Sequence, residues 1–291
     1  MFENKEGRTE LSELGEFGLI NLIKETVQLK NPESLEGIGD DAAVIDNKLL
    51  TVVTTDLLLV NIHLDLSYCP LKHLGYKAVV VNVSDIYAMN AEPKQIVIGL
   101  GMSNRFSLDA IEELYEGIRL ACEMYGVDLV GGDTSSSASG LVISVTAIGA
   151  ANKEELVYRD GATINDLICV TGDLGAAYMG LQLLQREKQV YLEAPTAQPD
   201  LSGYDYLLER QLKPEARKDI IIQLKTLNIQ PTSMIDISDG LSSELLHICT
   251  QSKVGCQIYE EQIHIDNRTR KLADTFGMSA TWEAMNASGD Y

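Results

Sequence analysis

The stretch Leu49 to Asp56, LLTVVTTD, is apolar and β-branched up to its last residue. That composition predicts a strand that delivers a carboxylate at its end. Downstream, Leu71 to Ala91 has the length and apolar content of a long helix, with Pro93 closing it. Gln95 to Gly101 (QIVIGLG) follows as a strand, then a helix over Ser107 to Tyr125 with Ser107 or Asn104 as its cap. A short strand over Val127 to Val130 is expected to end at GGDT, and Gly140 to Ala150 reads as a longer one. Upstream, Phe17, Leu19, Ile20, Leu22, Ile23 and Val27 fall at helical spacing, predicting a first helix over Glu16 to Leu29. Strand and helix therefore alternate, which implies a sheet layered with helices.

At 291 residues, two domains are expected, divided within residues 150–161: an N-terminal α/β domain over 1–150 and a C-terminal α+β domain over 151–291. The second half predicts a strand over Leu167 to Thr171, a helix over Leu174 to Glu187 and a surface loop over Lys188 to Gly203. A helix from Pro214 to about Leu227, a short strand over Ser233 to Ile237 and a helix from Leu241 to about Gln251 complete it.

A formal charge of −20 argues against nucleic acid and anionic membrane as partners, and means that an anionic ligand must be met through cations. No apolar run is long enough to span a bilayer, and Met1 to Glu10 is polar, so the cytoplasm is the expected compartment. The five cysteines are scattered, with no Cys-x-x-Cys pair, and are expected to be small core residues.

Aspartates recur at element ends beside Gly, Ser or Thr: GIGDDAA (Gly37 to Ala43), TTD (Thr54 to Asp56), NVSD (Asn82 to Asp85), GGDT (Gly131 to Thr134) and DISDG (Asp236 to Gly240). Magnesium takes oxygen ligands of this kind and keeps several waters. Each Gly-Asp pair taken alone is more often a turn, because Asp bonds its own backbone and Gly supplies positive φ. Asp85 is different. It interrupts an apolar helix, VVVNVSDIYAM, where a carboxylate is costly unless paired or metal-bound, and Asn82 shares its helix face. A P-loop is absent, and GIGDDA lacks the preceding strand that a dinucleotide site needs.

Taken in order, GIGDDAA, TTD, NVSDIYAMNAEP, GGDT, VTGDLG and IDISDGL resemble thiamine-monophosphate kinase, within the aminoimidazole-ribonucleotide-synthetase-like superfamily, from about Glu16 to Tyr291. The resemblance implies an N-terminal α/β domain that forms a homodimer, followed by an α+β domain. It implies that ATP phosphorylates thiamine monophosphate directly to thiamine diphosphate. It further implies several Mg2+ ions held by Asp41, Thr54, Thr55, Asp56, Asp85, Asp133, Asp236 and Asp239. ATP would be contacted by Tyr115, Gly132, Asp133, Arg159 and Ser238, and the thiamine substrate by His63. Where the family reads G-G-E-D-Y, this chain has Ala287-Ser288-Gly289-Asp290-Tyr291, so the family's acidic substrate contact falls on Gly289, and the family continues beyond that point. Other readings stay open from sequence: a metal-dependent phosphohydrolase, a non-catalytic nucleotide-binding protein, or another ATP-dependent enzyme of the superfamily.

Overall fold

The computed structural model describes residues 19, 22–38, 44–46, 48–138, 140–196 and 198–289. The chain forms two compact units, one of residues 1–87 with 91–155 and one of residues 88–90 with 156–291. Of the expected first helix, residues 22–26 are helical.

Unit 1 is built on a four-stranded mixed sheet. Its elements in chain order are β1 (Ser34–Glu36), β2 (Val44–Ile45), β3 (Leu50–Leu59), α1 (Leu71–Ala88), β4 (Glu92–Met102), α2 (Leu108–Tyr125), β5 (Asp128–Ser136) and β6 (Leu141–Ala151). The sheet runs β3-β6-β4-β5, while β1 and β2 form a separate antiparallel pair, so a short strand does precede GIGDDA, contrary to the sequence reading. β4 and β5 are parallel, joined through α2, and β6 is antiparallel to both β3 and β4. β3 thus lies at one edge of the sheet and β5 at the other.

The two-residue period of a strand decides what each side chain meets. Along β6, Leu141, Ile143, Val145 and Ala147 are buried and alternate with half-buried residues. Along β3 the alternation puts Val52, Thr54, Asp56 and Leu58 on the shielded side, while Thr51, Val53, Thr55 and Leu57 are exposed. Helix α1 buries Ala78, Val79, Val80, Val81 and Val83, so its centre is enclosed. Valines are poor helix formers, and this burial overrides their preference.

Two glycines let α1 and α2 approach backbone to backbone. A Cβ added at Gly75 would collide with the carbonyl oxygen of Leu114, and one added at Gly117 with that of Lys72. Ser107 caps α2, its hydroxyl accepting the Ala110 N–H at 3.3 Å.

Unit 2 contains α3 (Ala176–Glu193), α4 (Asp205–Leu212), α5 (Lys218–Thr226), α6 (Leu241–Ser252), α7 (Asn267–Phe276) and α8 (Ala280–Asn286). One core cluster gathers Leu174, Leu241, Leu245, Ile263, Ile265 and Ala284; another gathers Ala176, Met179, Leu183, Leu207, Leu272 and Ala273.

Several expected boundaries move. GGDT does not follow a strand but lies inside β5, which continues to Ser136 because β4 offers it a parallel partner as far as Met102. α3 extends to Glu193, into the expected loop, and α5 begins at Lys218 rather than at Pro214. The stretches expected as strands over Leu167 to Thr171 and Ser233 to Ile237 form no ladder among the described residues. A strand exists only beside a partner, and Leu167 is 89% exposed. The cysteines are also less uniform than expected: Cys69 is buried, but Cys169 and Cys256 are exposed. Among the described residues, no helix is long and apolar enough to cross a membrane.

Candidate active site

The polar cluster of unit 1 forms where the shielded side of β3 meets α1. Thr54 and Asp56, two apart on a strand, project to the same side; Asn82 and Asp85, three apart on a helix, do likewise. The two pairs meet. Thr54 Oγ1 donates to Asp85 Oδ2 at 2.5 Å, and the Asp56 N–H donates to Asn82 Oδ1 at 3.0 Å. Asn82 is fully buried and its Nδ2 donates to the Ala78 carbonyl at 3.0 Å.

Two carboxylates in so confined a space disfavour each other's charge. The Asp56 carboxyl is raised above its usual value of 3.8, first by burial and then by the negative charge of Asp85, while His63 pulls it the other way. His63 sits in the turn after β3, with Nδ1 accepting the Leu59 N–H at 3.1 Å. That acceptance leaves Nε2 as the nitrogen that carries the proton in the neutral ring.

The other expected residues of unit 1 fall elsewhere. Thr55 faces the opposite side from Thr54 and Asp56; its hydroxyl donates to the Val145 carbonyl at 3.1 Å and accepts from Thr146. Asp133 is exposed on β5, in register with Gly99, with β4 and β6 between it and β3. Gly132 must be glycine, because a Cβ there would strike the Ile98 carbonyl oxygen. Tyr115, its hydroxyl pushed up to about 12 by burial, lines a cleft of about 540 Å³ with Leu22, Glu112, Glu116 and Arg119, a lining that includes none of Thr54, Asp56 and Asp85. Asp41 lies outside the described residues.

Unit 2 holds the remaining candidates. Arg159 is exposed, but its carbonyl oxygen accepts from Ser233 Oγ at 2.8 Å and Ser252 Oγ at 3.2 Å, so its backbone is tied down. In the DISDG turn, Glu244 from the start of α6 accepts the Asp239 N–H at 3.0 Å and the Ser238 hydroxyl at 3.5 Å. Sequence reasoning missed Glu244, whose one signal is an acid in the first turn of a helix. Gly240 has φ +104, and a Cβ there would come within 2.8 Å of the Asn286 backbone. Gly289, in place of the expected acid, donates its N–H to the Ser238 carbonyl at 3.0 Å with φ +100, a conformation that favours glycine. It therefore supports the DISDG turn through its backbone.

Residues 39–151 match the family model for the N-terminal domain of AIR synthase related proteins. The thiamine-monophosphate kinase of Aquifex aeolicus (strain VF5) is 36% identical over 284 residues, spanning 97% of this chain and 85% of that protein. That of Bacillus subtilis (strain 168) is 35% identical over 267 residues, spanning 89% and 77%. The chain belongs to the thiamine-monophosphate kinase family. A solved structure of AaThiL complexed with AMPPCP and TMP superimposes with a TM-score of 0.74 at 33% identity, covering 100% of this chain and 86% of that one. The layered, two-domain fold read from the sequence is thus that of the thiamine-monophosphate kinases.

In this chain, Thr54, Asp56, Asn82 and Asp85 form one polar cluster between β3 and α1. Among the described residues, no three His, Cys, Asp or Glu side chains gather into a metal cage. Two carboxylates and a hydroxyl nonetheless fit magnesium, which is commonly held by one or two carboxylates, with waters and substrate phosphates completing its octahedron. The mutual repulsion of Asp56 and Asp85 is the electrostatic condition that a divalent cation relieves.

Proposed function

We propose that this protein transfers the terminal phosphoryl group of ATP to thiamine monophosphate, giving thiamine diphosphate and ADP, with Mg2+ bound at Asp56 and Asp85. The observation that carries this reading is the site of unit 1, two half-buried carboxylates and a threonine on one strand–helix contact, in a chain 36% identical to a thiamine-monophosphate kinase. Phosphoryl transfer needs little covalent work from a protein; positioning and charge neutralisation dominate. Bound magnesium would supply the positive charge that lets two anionic substrates approach. The residues of this chain hold and orient. Thr54 fixes the Asp85 carboxylate, Asn82 fixes the Asp56 backbone, and His63, in the turn after β3, would meet the acceptor. No general base is required, because the acceptor phosphate is already a nucleophile at neutral pH.

For the rest of the family's ligand set, we propose metal ligation by Asp41, Thr55, Asp133, Asp236 and Asp239, and nucleotide contacts by Tyr115, Gly132, Arg159 and Ser238. Thr55 would ligate through its hydroxyl, exchanging its bonds to the Val145 carbonyl and to Thr146 for the ion. We also infer a homodimer formed through the exposed side of the sheet, where Val53 is 61% and Leu57 50% exposed. A cytoplasmic location follows from the charged, cell-retained substrates.

Phosphorus NMR of the protein with Mg-ATP, with and without thiamine monophosphate, tests the reaction. Thiamine diphosphate resonances that arise only with the acceptor are expected. Inorganic phosphate released without acceptor would instead indicate a hydrolase.

A further inference from the structure

Asn82 is a polar amide at the centre of an apolar helix, and it is fully buried. Such a group needs partners for both ends of its amide. Its Nδ2 donates to the Ala78 carbonyl one turn earlier at 3.0 Å, which leaves Oδ1 directed at β3. There it accepts the Asp56 N–H at 3.0 Å. β3 is an edge strand paired on one side by β6, and this N–H is satisfied by the helix rather than by a neighbouring strand.

The consequence is mechanical. Thr54 to Asp85 and Asp56 to Asn82 are two ties between consecutive inward positions of the strand and one face of the helix. Asp56 and Asp85 repel each other, and without the tie at Asp56 only the ladder to β6 and the Thr54–Asp85 bond resist a local shift of the strand that separates the carboxylates. We propose that Asn82 is a positioning residue for phosphoryl transfer, holding the Asp56 backbone so that the Asp56 and Asp85 carboxylates stay paired for a divalent cation. The proposal rests on the magnesium reading above. It assigns Asn82 no contact with substrate or metal; it acts through Asp56.

A merely structural asparagine would also satisfy a buried N–H, so the test must separate the two roles. Binding of Mn2+ to the nucleotide-free protein is measured by electron paramagnetic resonance, alongside melting temperature and the Mg2+ dependence of turnover. Asn82→Leu keeps the shape and removes the acceptor. Loss of a group that orients a metal ligand typically weakens metal affinity by about 10–100-fold. Asn82→Leu is therefore expected to weaken Mn2+ binding about tenfold or more, and to raise the half-activating Mg2+ concentration by more than kcat falls. Asn82→Asp retains an acceptor for the Asp56 N–H and is expected to keep Mn2+ affinity within about threefold of wild type.

Wild-type Mn2+ affinity in Asn82→Leu, even with a lowered melting temperature, would overturn the proposal. If Asn82→Leu does not fold, a tenfold loss of affinity in Asn82→Asp overturns it and retained affinity upholds it. A wild-type protein that neither binds Mn2+ nor needs Mg2+ brings down the magnesium reading itself, a result distinguishable from failure at Asn82 alone.

Discussion

Asp56 carries its charge against its surroundings, and that has a measurable sign. Its carboxyl is raised above 3.8 by burial and by Asp85, so the folded state holds the proton more tightly than the unfolded state. Stability contributed by this group falls as pH rises from 3.8 through the folded value. In metal-free buffer Asp56→Asn should therefore melt higher than wild type at neutral pH, and the difference should close as pH drops to the unfolded value. Thermal unfolding in chelator across that range checks it; an equal or lower melting temperature at neutral pH would refute the assignment. The same variant should lose turnover by two orders of magnitude or more. Residues of this kind were the most legible in the sequence. Asp85 drew attention because a carboxylate within valines demands a partner, and Asp56 because a strand runs straight into it. Thr55 was grouped with its neighbours by motif, although a period of two must send adjacent strand residues to opposite sides. Lys77, on the same helix as Asp85, is only partly exposed, and its ammonium group is pulled below the usual lysine range by burial. Nothing local signals such burial, since it arises from what the helix is packed against.

The elements that were read well are those whose stability is local or strongly patterned. α2 has its cap at Ser107, and α1 is long enough for its period to show despite its valines. The failures, Leu167 to Thr171 and Ser233 to Ile237, have strand composition but no paired neighbour, which local propensity cannot supply. α1 matters because it carries Asn82 and Asp85, and its position depends on Gly75 and Gly117. Gly117→Ala forces a methyl group against the Lys72 carbonyl and should cost roughly 3 kcal/mol in urea unfolding, at the upper end for overpacking. Its damage should extend to turnover, since α1 must shift. In unit 2, Asp266 caps α7 by accepting the Arg268 N–H at 2.7 Å, and the Arg268 guanidinium holds its carboxyl at about 2. Asp266→Ala should destabilise by about 1 kcal/mol through loss of the cap. The charge-dependent part is present above 3.8 and is lost as pH falls toward about 2, so Asp266→Asn should match wild type most closely in strong acid.

Over the whole molecule, a charge of −20 stands against the two anionic substrates of the proposed reaction. Repulsion over that surface disfavours simple electrostatic capture, and in the proposed reaction divalent cations would take on the task of bringing ATP and acceptor to the protein. The proposed homodimer is tested on the exposed side of the unit 1 sheet: if it forms there, Leu57→Lys combined with Val53→Lys should shift sedimentation from dimer to monomer while the fold is kept. The family was legible from the order of the aspartate motifs, and so was the division of candidate ligands between two units; which side of its element each ligand faces was not, because a motif gives no indication of it. The decisive measurement is turnover of thiamine monophosphate with ATP as Mg2+ is added back to chelator-treated protein, wild type beside Asp56→Asn. We expect no thiamine diphosphate without the ion, restoration by Mg2+ in the wild type alone, and unchanged circular dichroism in both. Product formed in chelator, or formed by Asp56→Asn at the wild-type rate, would show that these carboxylates do not carry the metal.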